Sequence, residues 1–150
     1  MNMTLGQKLR KIRIFRNMTQ KEVGEKSDIQ GTADIRMLQY EHDKRKPLMN
    51  RLKKIATALS CNIKAISYEM DESPEDLMEL LFWMEEERPG CIQFMTVATP
   101  NEDQQVALYF NDALINDYLH EWDLKKIQLA CDLITEDEYF DWKINWPEKI

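Results

Sequence analysis

The sequence predicts a mainly α-helical fold, in which a domain of five short helices over residues 1–69 precedes a small α+β domain with a β-hairpin over residues 74–150. Two observations predict the helical part. Capping boxes, in which a threonine is followed three residues later by Gln or Glu, stand at Thr4 and Thr19 and mark the first residues of helices. Apolar residues then recur at helical spacing. A third observation predicts the hairpin, because residues 91–110 contain two apolar stretches with the alternation typical of strands.

The helices of the first domain are delimited by start and stop signals along the chain. Only Asn17 and Met18 separate the first helix from the second capping box, which predicts a tight corner between two helices. Thr32 stands where it would cap the third helix, and Pro47 prevents that helix from continuing. The five predicted helices cover residues 5–16, 20–26, 32–41, 48–59 and 63–68.

The second domain combines helices with the hairpin. Residues 70–73 form the predicted linker, and Pro74 occupies the first position of the next helix, where proline is favoured. Thr135 and Glu138 form a third capping box, which begins the last helix. The predicted strands cover residues 91–97 and 106–110, and the predicted helices cover residues 74–88, 112–132 and 135–145.

The charge of the chain divides at the same place as the fold. The net charge is −7, but residues 1–68 hold 15 Lys and Arg against 6 Asp and Glu. Residues 69–150 hold 5 basic residues against 21 acidic ones. A basic part joined to an acidic part indicates a module that binds a polyanion, followed by a module that does not.

Membrane proteins and metal-binding proteins are excluded by what the sequence lacks. No apolar stretch has the length of a membrane span, and residues 1–11 lack the apolar core of a signal peptide. We therefore expect a cytoplasmic protein with no membrane partner. Cys61, Cys91 and Cys131 lie far apart without a CxxC pair, so we expect buried free thiols and no bound metal.

No combination of residues predicts catalysis. His120 and Glu121 begin like the zinc-protease motif HExxH, but Leu124 stands where the second histidine is needed. The carboxylates of 85–87 and 136–138 are interpreted as solvated surface. We expect a protein that is not an enzyme and has no cofactor. The tryptophans are expected in the core, with a small-molecule pocket or a partner groove as the alternative: Trp83, Trp122, Trp142 and Trp146.

Three blocks of the first domain resemble the Xre family of DNA-binding regulators, which includes Cro and the phage repressors. Met18–Lys26 resembles the family's LTQEELAEK helix, Gln39–Pro47 is similar to RIERGKRNP, and Lys54–Cys61 is similar to KIAKALGV. The three blocks occur in the family's order. The resemblance implies a lambda-repressor-like helix-turn-helix domain whose partner is double-stranded DNA, with helix two across the DNA backbone and helix three in the major groove.

The resemblance also implies roles for single residues. Gln20, at the start of helix two, matches a glutamine that contacts phosphate, and the helix N-terminus there favours an anion. Arg13 and Glu41 match an ion pair that ties helix one to the end of helix three. In two respects the chain departs from the family. The turn before helix three is longer, and Asp43 occupies a position that is often Gly, where Asp is tolerated because it adopts the left-handed conformation more easily than most residues.

The outward face of helix three follows from helical spacing. Ala33, Met37 and Tyr40 recur at positions i, i+4 and i+7, so we expect them to face the core. Arginine pairs with guanine, glutamine pairs with adenine, and isoleucine contacts the methyl group of thymine. The side chains expected to point outward, toward the bases, are those of Thr32, Ile35, Arg36 and Gln39.

Charged residues at both ends of helix three complete the expected DNA-binding surface. Asp34 has two interpretations, since it either accepts a hydrogen bond from cytosine N4 or only favours the helix N-terminus. Beyond the other end of the helix, we expect three basic residues to contact phosphates: Lys44, Arg45 and Lys46.

The C-terminal part resembles the tail of a group of Xre-type regulators from Gram-positive bacteria and their mobile elements. Asp132–Pro147 is similar to their GEITKEEYDEWRYNYP, and Thr32–Pro47 is similar to their TADVRIAQYESGTRTP. The resemblance implies an accessory α+β domain for dimerisation or sensing, with a small-molecule effector or a protein partner left open. We expect a homodimeric repressor of transcription. The alternative is an antitoxin or anti-repressor whose acidic domain binds a protein partner.

Overall fold

The computed structural model describes residues 3–67, 73–98, 100 and 104–147. In these residues the chain is mainly helical, with eight helices and one two-stranded antiparallel sheet, as predicted. The helices are α1 (Leu5–Phe15), α2 (Gln20–Lys26), α3 (Ala33–Glu41), α4 (Met49–Ala58), α5 (Ile63–Ser67), α6 (Pro74–Glu87), α7 (Ala113–Ala130) and α8 (Glu136–Asn145). The strands are β1 (Ile92–Ala98) and β2 (Gln104–Phe110). None of the helices in the described ranges is both long and apolar enough to cross a membrane.

Capping boxes begin α1 and α2, as predicted. The amide of Gln7 donates to Thr4 Oγ1 at 3.2 Å, and the amide of Thr4 donates to Gln7 Oε1 at 3.0 Å. Thr19 and Glu22 make the same reciprocal pair. The prediction that Thr32 caps α3 is wrong, because its side chain makes no capping hydrogen bond. Its backbone, with φ −105° and ψ 46°, is not in the extended conformation that a capping side chain needs.

The chain folds into two compact units, whose boundaries differ from the predicted domains. The first unit is Met1–Asp71 together with Asp137–Ile150, and the second unit is Glu72–Glu136. The sequence predicted a single boundary near residue 70, with everything after it in the accessory domain. Instead, nearly the whole of α8 belongs to the first unit, so the second unit is inserted between two segments of the first.

The last helix, α8, completes the core of the first unit. Ile144 is only 6% exposed and belongs to the same buried cluster as the apolar residues of α1 to α5. Phe140 meets Phe15 edge to face, with ring centroids 4.9 Å apart. The amide of Asn62 donates to the carbonyl oxygen of Ile144 at 2.8 Å. Both side-chain packing and backbone hydrogen bonding therefore attach α8 to this unit.

The second unit consists of α6, the hairpin and α7. The hairpin is antiparallel, with Ile92 opposite Phe110 and Ala98 opposite Gln104, which confirms the prediction of a hairpin here. Helix α6 packs against β1, and α7 packs against β2. Within its described residues, however, only Cys91 and Ile92 are buried.

The tryptophans do not follow the expectation that most of them are core residues. Trp142, in α8, is buried. Trp83 and Trp122, in the second unit, are 65% and 48% exposed, so the expectation is wrong for both. The expectation was based on residue type, and residue type does not show whether a neighbouring element covers the ring.

Candidate nucleic-acid interface

Helix α3 is oriented by its buried side. Ala33, Met37 and Tyr40 are all buried, as their spacing predicted. Around the opposite side, Ile35 is 52% exposed and Leu38 is 43% exposed. The other residues expected to point outward vary in exposure: Thr32 and Asp34 are exposed, whereas Arg36 and Gln39 are half-buried.

A close approach between α2 and α3 fixes the angle between these two helices. A Cβ atom on Gly24 would lie 2.7 Å from Ala33 Cβ and 2.8 Å from the Ala33 carbonyl oxygen. Those distances are shorter than van der Waals contact allows, so only glycine fits at this point of α2. The neighbouring Val23 is fully buried beneath the same contact.

The long turn between α2 and α3 is held in place by side chains of α4. Asp28 and Gly31 adopt positive φ angles of 57° and 76°, which make the reversal possible. Lys54 Nζ donates to Asp28 Oδ2 at 2.5 Å, and this hydrogen bond lowers the pKa of the Asp28 carboxyl below its usual value. Arg51 donates to the carbonyl oxygen of Ser27. The turn that departs from the family pattern is therefore ordered by contacts outside α2 and α3.

An ion pair ties α1 to the end of α3, between the two residues that the resemblance implied. Arg13 Nε donates to Glu41 Oε1 at 2.5 Å and Nη2 donates to Oε2 at 2.9 Å, so the pair is bidentate. The Glu41 side chain is fully buried, and its hydrogen bond raises the pKa of Arg13. Arg13 also donates to the carbonyl oxygen of Met18 at 2.9 Å.

Gln20 joins this network, which the sequence did not indicate. Its side-chain Nε2 donates to Glu41 Oε2 at 2.9 Å. The amide expected to contact phosphate is thus directed at the buried carboxylate at the end of α3. Because α1, α2 and α3 all contribute to one carboxylate, the network fixes the relative position of the three helices.

The loop after α3 carries the three exposed basic residues of 44–46. Asp43 adopts a φ of 54°, the left-handed conformation that the sequence predicted for it. Its carboxylate accepts hydrogen bonds from the amide of Gly6 at 2.9 Å and from Thr4 Oγ1 at 2.5 Å. The amide of Lys44 donates to the carbonyl oxygen of Gln39 at 3.0 Å. The basic loop is therefore attached both to α3 and to the start of α1.

A groove beside α3 collects four basic residues and is here named the basic groove. Its volume is about 500 Å³. Among the residues that line it and that the structure describes, no acidic residue occurs. Such a concentration of cations favours an anion, and a guanidinium binds phosphate and carboxylate groups through paired hydrogen bonds. The groove is lined by Ile29, Gln30, Thr32, Arg36, Tyr40, Arg45, Lys46, Leu48 and Arg51.

The basic groove changes the position assigned to Arg36 and adds one residue. The sequence grouped Arg36 with the base-reading residues, but the structure places it in the groove beside Arg45 and Lys46. Arg51, in the first turn of α4, was not singled out from the sequence. Its position in the groove depends on how α4 packs under the turn before α3, and no local pattern encodes that packing.

In the described part of the chain, no group of three or more His, Cys, Asp or Glu residues is arranged to hold a metal ion. The expectation of buried thiols holds only for Cys91, because Cys61 is half-buried and Cys131 is exposed. The partial burial of Cys61 against the core of the first unit raises the pKa of its thiol to about 11. No family model, curated protein or solved structure matches the chain.

Proposed function

We propose that the first unit binds double-stranded DNA in a sequence-specific manner, and that the protein is a regulator of transcription that acts as a repressor. One observation carries this proposal. Helix α3 exposes Ile35 and Leu38 on its outer side, while the basic groove runs beside it from Thr32 to Tyr40 and the basic loop of residues 44–46 follows its C-terminus. A helix with short side chains outward and cations beside it fits the major groove of DNA between two phosphate backbones.

The residues of α3 divide into two roles in this proposal. Ile35 lies at the outer side of the helix, where it contacts the methyl group of a thymine. Gln39 follows one turn later and offers its side-chain amide to the N6 and N7 atoms of an adenine. Arg36 lies in the basic groove and binds a backbone phosphate there, together with Arg45 and Arg51. In this proposal, Ile35 and Gln39 contact bases, and the arginines of the basic groove bind the phosphates beside them.

The network around Glu41 prepares α3 for this contact. A base-reading helix must be held at a fixed angle, because a small rotation exchanges the side chains that meet the bases. The bidentate pair with Arg13 and the hydrogen bond from Gln20 prevent that rotation by attaching α3 to α1 and α2. In this proposal, Gln20 acts as a positioning residue toward Glu41.

The experiment is selection of bound sites from random DNA duplexes with the full chain, followed by binding titrations at several salt concentrations. We expect one preferred sequence and a steep fall of affinity with salt, with a slope of about −0.9 per phosphate contact. No enrichment of any sequence, together with weak and salt-insensitive binding, would contradict the proposal.

Two variants separate base reading from phosphate holding. Gln39→Ala is expected to cost about 1–3 kcal/mol on the selected site and to relax the preference at one base pair. Arg45→Ala is expected to weaken binding to all sequences equally and to reduce the salt slope by about one unit. Lys53→Ala removes the same charge from an exposed position of α4, about 200° around the helix from Arg51, and serves as the matched control. If Arg45→Ala changed the sequence preference and Gln39→Ala did not, the orientation proposed for α3 would be wrong.

A further inference from the structure

The second unit lacks a hydrophobic core of its own. Among its described residues, 73–98, 100 and 104–136, only Cys91 and Ile92 are buried. A domain of this size must remove more than half of the surface of its unfolded chain from water in order to fold alone. A two-stranded hairpin is only marginally stable without further strands or a covering layer. The unit therefore depends on surface that another molecule supplies.

Helix α7 has no single apolar face, because its apolar side chains alternate with polar and charged ones around the whole circumference. At about 100° per residue, its exposed apolar side chains point in clearly different directions around the axis. Apolar side chains on a helix are normally covered by neighbouring elements, yet no residue of α7 is buried. One packed neighbour cannot cover such a helix, so its missing cover lies on more than one side. Four of these side chains are Leu114, Leu119, Leu124 and Ile127.

The hairpin is apolar on both faces. Phe94 is 64% exposed and Val106 is 69% exposed on one face; Met95 and Tyr109, on the other face, are 56% and 48% exposed. In an antiparallel sheet with one wet face, polar residues occupy that face; here the alternating apolar residues of one face are accompanied by apolar residues, such as Met95 and Tyr109, on the other. Neither strand contains a charged residue or a proline, although these are the residues that normally protect a free strand edge from pairing.

We propose that the second unit is a dimerisation unit, in which two copies of this chain pair about a two-fold axis through their hairpins and cover each other's α6 and α7. A two-fold axis makes an interface self-complementary, and a strand pairs with its own copy in the antiparallel direction under that symmetry. A unit without a core also needs its partner whenever it folds, and a second copy is the partner that expression of the chain always supplies.

The exposed area is sufficient for a stable dimer. An aromatic side chain buries about 150–250 Å² when it is fully covered, and four aromatic residues of α6 and the hairpin are about half exposed or more. Covering these four alone removes about 450 Å² per chain, which is more than half of the about 800 Å² that each partner contributes to a stable interface. The exposed aliphatic side chains of α6 and α7 add to this area. The four aromatic residues are Phe82, Trp83, Phe94 and Tyr109.

Because the second unit is acidic, the salt dependence of its association distinguishes a second copy of the chain from a basic protein partner. Residues 72–136 hold 15 acidic residues against 3 basic ones, so two copies repel each other while their apolar surfaces attract. Added salt screens the repulsion and tightens a dimer of this kind. A basic partner protein would show the opposite salt dependence, because salt would screen an attraction.

The test is sedimentation equilibrium of the full chain from about 0.1 to 50 µM, at salt concentrations from about 50 to 500 mM. We expect a dimer that dissociates less readily as salt increases, and a melting temperature that rises with protein concentration. This measurement uses no DNA, so its result is independent of the proposed DNA binding. A chain that stays monomeric throughout this range overturns the proposal.

Two substitutions place the interface on the hairpin. Phe94→Asp and Met95→Asp put a charge on each face at exposed positions, and each is expected to raise the dimer dissociation constant by at least about a hundredfold. Ile14→Asp makes the same kind of change at a position of α1 that is 54% exposed, and it should leave the dimer intact. A dimer that survives both hairpin substitutions overturns the proposal. If a variant loses helical circular dichroism, the concentration dependence of the wild-type melting temperature still decides the question.

Discussion

Replacing Ile144 with alanine tests whether α8 belongs to the first unit. Ile144 lies in the last turn of α8, is 6% exposed, and belongs to the core formed by α1 to α5. The sequence alone placed this residue in a separate accessory domain. Because Ile144 is part of this core, Ile144→Ala is expected to destabilise the first unit, although the residue lies far from that unit's other helices in sequence.

The size of the effect follows from burial. The substitution removes three carbon atoms, each worth about 0.8 kcal/mol when buried, and leaves a cavity that adds to the loss. We therefore expect the free energy of unfolding of the first unit to fall by about 3 kcal/mol. Small domains have only about 5–15 kcal/mol of stability in total, so the change is easily measured.

Amide hydrogen exchange of the full chain, followed by mass spectrometry, assigns this loss to a unit. At about 1.4 kcal/mol per tenfold change, the most protected amides of α1 and α4 should exchange about a hundredfold faster in Ile144→Ala. The matched control is Leu133→Ala in the segment before α8, where the side chain is 73% exposed and the expected change is within about 0.5 kcal/mol. Unchanged exchange in α1 and α4 of Ile144→Ala would refute the assignment of α8 to this unit.

Two further predictions concern the first unit. Gly24→Ala should lower its stability by about 1–3 kcal/mol, because the added Cβ would overlap Ala33; an unchanged midpoint of urea denaturation would contradict this. The thiol of Cys61, whose pKa is raised to about 11 by burial, should react with a maleimide more slowly than the exposed thiol of Cys131. The unfolded chain releases the Cys61 proton near pH 9, whereas the folded chain keeps it to about pH 11, so the free energy of unfolding should be unaffected by this thiol below pH 9 and should fall as the pH rises to 11. Equal labelling rates and a flat stability profile over that range would show that Cys61 is not buried.

Local signals in the sequence were enough to predict most elements of the fold. The capping boxes at Thr4 and Thr19 begin α1 and α2, and the alternation around Phe94 and Leu108 gave the hairpin. The left-handed conformation of Asp43 was predicted from residue type and loop position. Each of these features depends on residues that are close in sequence, where capping, turn chemistry and periodicity act directly.

Features that depend on distant residues were not predicted. The position of Arg36 in the basic groove depends on α4 and on the turn before α3, and the hydrogen bond from Gln20 to Glu41 depends on how α2 meets α3. The unit to which helix α8 belongs was harder still to predict. The pattern around Trp142 and Ile144 indicates a helix with a buried side, but the pattern does not say which core that side joins.

The insertion of the second unit into the first connects the two proposals. Glu72–Glu136 leaves the first unit after α5 and the chain returns to that unit with α8, so a dimer formed by the second unit is joined to each DNA-binding unit at both of its ends. One helix-turn-helix reads only about half of a two-fold site, with half-sites about 34 Å apart. If the first unit binds DNA as proposed, two such units that are linked in this way bind the second half-site at a high effective concentration, without any additional contact. The exposed apolar surface of the second unit and the basic groove of the first are thus explained by one arrangement, in which pairing of the acidic units gives the basic units the affinity for DNA that a single one lacks.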